Sequence, residues 1–189
     1  MAEQGAGRRP IRAGVVTVSD GVSAGRREDR SGELLCRLVE QAGGRVEFRR
    51  VVPDEAEQIR RVLLEAADVH RLDLVVTTGG TGLAPRDVTP EATLSVVERL
   101  VPGLPEAMRW AALARTPTAM LSRAVAGVRG RTLIVNLPGS PRGVQESWQA
   151  IAGQLPHAVA LLRGEQGLHE PGEKSPGAPP EGAPGTGDG

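Results

Sequence analysis

Aromatic side chains are almost missing from this chain. Two Trp and one Phe make up 2% of 189 residues, and there is no Tyr. Without rings to stack on bases, a single-stranded nucleic-acid platform is excluded. The core must instead be built from Val, Leu, Ile and Ala, which suits a parallel sheet covered by helices. Lysine is just as scarce. Lys174, near the C-terminus, is the sole one. No Schiff-base lysine and no phosphate-loop lysine can therefore operate in the body of the chain, and any cationic contact to phosphate must come from Arg. There is one cysteine, Cys36, so no intrachain disulfide can form. That fits a reducing cytoplasm, and Cys36 reads as a small apolar core residue. Net charge is absent too: 23 basic residues balance 23 acidic ones, leaving no global field for a polynucleotide. No stretch has the length or apolarity of a membrane span or a secretory leader. The histidines, His70, His157 and His169, lack zinc-ligand spacing.

What is present is a series of strand–turn–helix units. Residues 1–10 form a loose leader. Ile11 to Ser19 is a β-branched strand, followed by a polar loop with Arg26, Arg27 and Arg30 and a helix over 31–42 capped by Ser31. A second strand, 46–52, leads to Pro53-Asp54-Glu55, where Asp54 reads as the N-cap of the next helix with Glu57 in reciprocal position. The third strand ends in Thr77-Thr78. Residues 90–100 and 105–114 read as helices, 119–127 and 132–136 as strands joined at Arg129-Gly130. A helix capped by Ser140 starts at Pro141 and breaks between Gly153 and Pro156. Residues 165–189 are Gly/Pro-rich and acidic, and read as a disordered tail. The expected architecture is a single α/β domain over 11–164, a three-layer, mostly parallel, Rossmann-like sheet with helices on both faces. Ligands of such sheets bind at the carboxyl ends of the strands.

The chemistry concentrates after the third strand, in TTGGTGLAPRDVTPEAT, residues 77–93. Gly79, Gly80 and Gly82, with Thr81 between, can bring backbone N–H groups close to an anion. A helix start at Thr89-Pro90 adds partial positive charge. The string lacks the Lys of a P-loop and the acidic ribose partner of a dinucleotide fingerprint. Asp87 beside such a cradle would repel phosphate unless a cation such as Mg²⁺ stood between them. Arg26, Arg27 and Arg30 read either as a solvated face or as a basic flap over a polyanion.

The 77–93 string, together with TVSDGVSAGRREDRSG, VVPDE, LSRAVAG and LIVNLPGSPRG, resembles the Mog/MoaB family of molybdenum-cofactor biosynthesis proteins. The resemblance spans roughly 11–165. It implies a molybdopterin-binding α/β fold that forms trimers or hexamers. It also implies transfer of AMP from ATP onto the terminal phosphate of molybdopterin, with release of pyrophosphate. The family's essential acids fall on Asp54 and Asp87, which would also hold Mg²⁺. Ser19, Asp20, Thr78, Gly79, Gly80, Thr81, Gly82, Arg86, Ser122, Asn136, Pro138, Gly139 and Ser140 are the expected substrate and nucleotide contacts. The short 153–156 segment is closer to the compact MoaB branch, so a molybdopterin-binding scaffold without turnover stands as the alternative. A nucleotide-binding protein of another pathway is a third reading.

Overall fold

The computed structural model describes residues 9–165. Most of the expected leader and nearly all of the expected tail lie outside the described residues. The sheet begins with β1 (Ile11–Val18), β2 (Gly44–Val52) and β3 (Leu74–Thr78). It continues through a two-residue β4 (Arg99–Leu100), β5 (Ala126–Arg129) and β6 (Thr132–Leu137). The strand order is β2-β1-β3-β6-β5-β4. The first four in that order are parallel, and β5 and β4 close one edge antiparallel.

Every residue of β3 and β6 is buried, because helices cover both faces. This explains their continuous apolar runs. α2 (Arg30–Gln41), α5 (Gly103–Leu113), α6 (Pro141–Ile151) and α7 (Leu155–Arg163) cover one face. There Val15, Leu35, Leu38, Val76, Trp148 and Ile151 share a core. α3 (Ala56–Leu64) and α4 (Thr89–Leu94) cover the other, with Val16, Phe48, Ile59, Leu63, Val75 and Ile134 between. A short α1 (Asp20–Ser23) follows β1.

The chain leaves β1 towards the first face and β3 towards the second. The crevice of this open sheet therefore lies between two adjacent strands, where ligands bind. Register makes the crevice level: Val18 lies beside Val52, Thr17 beside Thr78, and Thr78 beside Leu137.

Several expectations about local structure are corrected. α4 ends at Leu94 rather than near 100, because Arg99 and Leu100 pair with Val128 and Gly127. Leu94 and Leu100 are consequently exposed. Pro117–Leu121 is a 3₁₀ turn, so β5 starts only at Ala126. Asp29, not Ser31, caps α2, accepting from Gly32 N at 3.0 Å. Glu55, not Asp54, occupies the N-cap position of α3 and makes no side-chain cap. Ser140 does cap α6, accepting from Gly143 N at 3.0 Å. The break after α6 falls at Ala152–Gln154.

Candidate functional site at the carboxyl edge of the sheet

The freed Asp54 side chain turns back to β1. Its Oδ2 accepts from Asp20 N at 2.7 Å, and Asp54 N donates to Asp20 Oδ1 at 3.0 Å. This reciprocal clamp joins the ends of β1 and β2. From the β3–α4 loop, Arg86 forks onto Asp20, Nη2 to Oδ1 at 2.7 Å and Nε to Oδ2 at 3.1 Å. Ser19 caps α1, accepting from Val22 N at 3.3 Å. Arg86 holds the Asp20 carboxyl below its ordinary range. Asp54 is pushed the other way, first by burial and then by the charges of Asp20 and Asp87, against the bond from Asp20 N. Asp87 stands by Gly82 and accepts from Ala84 N at 2.8 Å through Oδ2.

Gly79 and Gly80 turn the chain at φ +104° and +63°. A Cβ on Gly79 would lie 2.1 Å from Val18 O, so glycine is required for β1 and β3 to approach at the crevice. One on Gly80 would lie 3.2 Å from Asp54 Oδ1, which places that carboxylate oxygen against the turn. Hydroxyls occupy the carbonyls of both corners: Thr89 donates to Gly79 O, Thr78 to Pro138 O and Ser31 to Gly139 O, at 2.9, 2.7 and 2.6 Å. The N–H groups of Gly80, Gly139 and Ser140 donate to no protein group among the described residues. Free amides in a turn and at a helix start favour an anion.

These corners enclose a cavity of about 800 Å³, lined by Ser19, Asp54, Thr78, Gly79, Gly80, Gly139 and Ser140 among the expected residues. Arg27 and Arg30 border it, while Arg26 does not. Thr81, Gly82, Ser122 and Pro138 face a separate depression of about 360 Å³, which Ser140 also lines. The edge thus offers two adjoining compartments divided by the glycine turn and the Pro138–Ser140 corner.

Asn136 reaches neither compartment. It is fully buried; Nδ2 donates to the hydroxyls of Thr77 and Thr93 at 3.0 and 2.9 Å, and Oδ1 accepts from Val125 N at 3.3 Å. Its work is to tie β6 to β3 and α4. Asn136→Ala would leave buried partners unsatisfied and is expected to cost roughly 3 kcal/mol. A thermal melt checks this, with substrate KM expected to change little.

Two residues of the edge were given no role by the sequence, Asp29 being read as part of a polar loop and Arg123 left ambiguous beside Ser122. Asp29 Oδ2 accepts from the Thr17 hydroxyl at 3.0 Å and from Arg49 at 2.9 Å, anchoring the junction between the loop that carries Arg27 and α2, which Arg30 opens. Arg123 donates to Gly82 O at 2.7 Å, to Asp87 O and to Glu91, while its own N–H reaches Thr81 O. It fastens both ends of the Gly82–Asp87 loop. The one signal in the sequence was a lone arginine after Ser122, which has no local meaning.

The donor chemistry can be tested against a cation. Among the described residues no three His, Cys, Asp or Glu side chains form a metal cage. Asp54 and Asp87 each use Oδ2 towards the backbone, and no hydrogen bond among the described residues reaches either Oδ1. Asp54 lines the cavity and Asp87, outside the lining, is near enough for its charge to raise the Asp54 carboxyl; hard oxygens of this kind suit a Mg²⁺ that takes most of its ligands from water and substrate phosphates, and would not hold one tightly alone.

A doubly covered, mostly parallel sheet with an anion-receiving crevice at its carboxyl edge defines an α/β ligand-binding protein. The profile of the family described as "probable molybdopterin binding domain" matches residues 14–157, and the chain belongs to that family. It is 43% identical over 156 residues to a molybdopterin adenylyltransferase of Helicobacter pylori strain J99, covering 82% of this chain and 89% of that protein. The molybdopterin adenylyltransferase of Escherichia coli K12 is 38% identical over 169 residues, covering 82% and 86%. The crystal structure of the molybdopterin biosynthesis enzyme MoaB from Thermus thermophilus superposes with a TM-score of 0.78 at 51% identity, covering 82% of this chain and 97% of that one. The expected α/β, molybdopterin-binding fold is the one observed.

Proposed function

We propose that this chain is a molybdopterin adenylyltransferase acting in molybdenum-cofactor biosynthesis. The observation that carries the reading is the placement of Asp54. Its carboxylate oxygen lies against the glycine turn, inside a phosphate-receptive cavity, and the group is held there by the N–H of Asp20, which Arg86 braces. An acid beside an anion cradle is unfavourable for simple phosphate binding. It is favourable where a cation bridges protein and polyphosphate. The names of the relatives supply the reaction that this chemistry suits.

In that reaction an oxygen of the molybdopterin phosphate bonds to the α-phosphorus of ATP. The bond from that phosphorus to the bridging oxygen breaks, and pyrophosphate leaves. The attacking phosphate is already an anion, so no general base is needed, and the protein's task is positioning and charge compensation. The amides of Gly80, Gly139 and Ser140 hold phosphate oxygens. Arg27 and Arg30 draw polyanions to the cavity mouth. Asp54 and Asp87 would hold Mg²⁺, which when bound offsets charge on the transferring and leaving phosphates. The two adjoining compartments accommodate pterin and nucleotide. Release of pyrophosphate from ATP, dependent on added molybdopterin and Mg²⁺, tests the reading. No release from folded protein that binds both substrates would leave only a binding protein.

The functional unit is further proposed to be a cytoplasmic homotrimer. Trp110 on α5 and Met120 and Leu121 on the turn packed against it are 78%, 63% and 48% exposed. Large apolar groups left to solvent favour self-association. Light scattering is expected to give three times the chain mass, and Trp110→Arg to lower it. A monomeric wild type would contradict this.

A further inference from the structure

At the opposite edge of the sheet, where β1, β3 and β6 begin, lies a cleft of about 540 Å³. Six arginines line it: Arg9, Arg12, Arg71, Arg129, Arg131 and Arg163. The acids among its lining residues are Asp68 and Asp73. Two acids line it with the six arginines, and Glu47, Glu165 and Glu98 reach Arg12, Arg163 and the Gly130 N–H from outside the lining, so six positive charges meet five negative ones.

The acids do not neutralise the cleft evenly. Asp68 takes a fork from Arg129 at 2.7 and 2.8 Å, and Asp73 one from Arg163 at 2.7 and 3.0 Å. Arg12 pairs with Glu47 at 2.8 Å and steadies the turn below it by donating to the carbonyls of His70 and Arg71. Those three guanidinium groups are committed to the fold. Arg9, Arg71 and Arg131 enter no ion pair among the described residues, and all three are exposed around one cleft. Three exposed guanidinium groups without an ion-pair partner on one cleft raise the positive potential there, which favours an anion.

The backbone adds an independent observation. Arg71 has φ +50°, the one non-glycine residue with positive φ among those described. Left-handed backbone costs an L-residue without a short polar side chain about 1–3 kcal/mol, and such outliers concentrate where ligands are held. Gly or Asn would relieve the turn. An arginine is kept there, in the wall of a basic cleft.

We propose that this cleft is a second anion site, which takes a small polyphosphate group through Arg9, Arg71 and Arg131. Arg forks match phosphate oxygens in pairs, and a pyrophosphate or triphosphate moiety can meet several at once. An acidic protein segment would spread its charge along an extended backbone, whereas these arginines are gathered at the rim of one cleft. The site lies across the sheet from the Asp54 cavity and does not depend on adenylyl transfer.

Calorimetric titration of the full chain with inorganic pyrophosphate, and separately with ATP, without Mg²⁺, tests the proposal. The double variant Arg71→Gln/Arg131→Gln, both exposed positions, is expected to weaken one class of sites at least tenfold. Arg27→Gln/Arg30→Gln, at the other cavity, should leave that class unchanged. Tighter binding of ATP than of pyrophosphate would identify a nucleotide as the natural source, and the reverse would identify the inorganic anion. The proposal is overturned if the Arg71/Arg131 variant binds both anions as wild type does. It is equally overturned if Arg60→Gln/Arg61→Gln on α3 causes the same loss, since diffuse charge would then suffice. Binding of an acidic peptide with none of either anion would overturn it in favour of a protein partner.

Discussion

Asp54→Asn is expected to lower molybdopterin-dependent pyrophosphate release by about 10²–10³-fold, the usual loss when one preorganised electrostatic group of an active site is removed. Asn is chosen because its side-chain oxygen can still accept from Asp20 N, so the clamp between β1 and β2 survives. Asp87→Asn keeps the acceptor for Ala84 N in the same way, and a loss of similar size is expected. Stability should separate from activity. The folded-state pKa of Asp54 is raised, chiefly by burial. For an acid raised in this way the buried charge costs stability above the folded pKa, and the cost fades as pH falls through it. The uncharged Asp54→Asn variant should therefore melt no lower than wild type near pH 8, with any gain vanishing in acid. A variant that loses stability and activity together would assign Asp54 a structural role alone.

Gly79→Ala is expected to destabilise the fold by roughly 3 kcal/mol or more, combining left-handed backbone strain with overpacking. In a chain of 189 residues this lowers Tm by about 6–12 °C. The cause is local and severe. The added methyl would stand 2.1 Å from Val18 O, a backbone atom that cannot rotate away, so β1 and β3 must part at the crevice itself. Phosphate binding should fall with stability, because the Gly80 amide moves with the turn. Gly103→Ala provides the contrast. That position opens α5 with nothing within 4 Å of the new methyl and is expected to be neutral or slightly stabilising. Thermal melts of the two variants side by side check the difference.

The contrast between these residues shows what the sequence could reveal. β1, β3 and β6 were legible because strands buried on both faces must be apolar throughout. The glycine turn was legible because few residues can follow a buried strand into positive φ. Ser140-Pro141 announced α6 through local capping chemistry. Asp54 is a harder case. Read locally it caps α3, and only its partnership with Asp20, 34 residues away, turns it towards the cavity. Arg123 stayed ambiguous for the same reason: its partners at Gly82, Asp87 and Glu91 come from another segment. Asn136 erred in the opposite direction. It stands at the end of a strand beside a functional corner, yet its side chain points inward to Thr77 and Thr93. The helix expected to reach 100 failed because pairing of Arg99 and Leu100 with β5 is a tertiary choice. The family motifs marked Asp54 and Asp87 without regard to these contacts; the structure puts Asp54 in the cavity lining and Asp87 beside Gly82, outside it.

Single-turnover incubation of the protein with ATP, Mg²⁺ and molybdopterin, followed by mass spectrometry of the pterin, reads the proposed bond directly. Wild type should yield molybdopterin carrying one adenylyl group with one equivalent of pyrophosphate, and Asp54→Asn should yield almost none on the same time scale. Unmodified molybdopterin recovered from wild-type protein that demonstrably binds it would contradict adenylyl transfer and leave the crevice as a binding site.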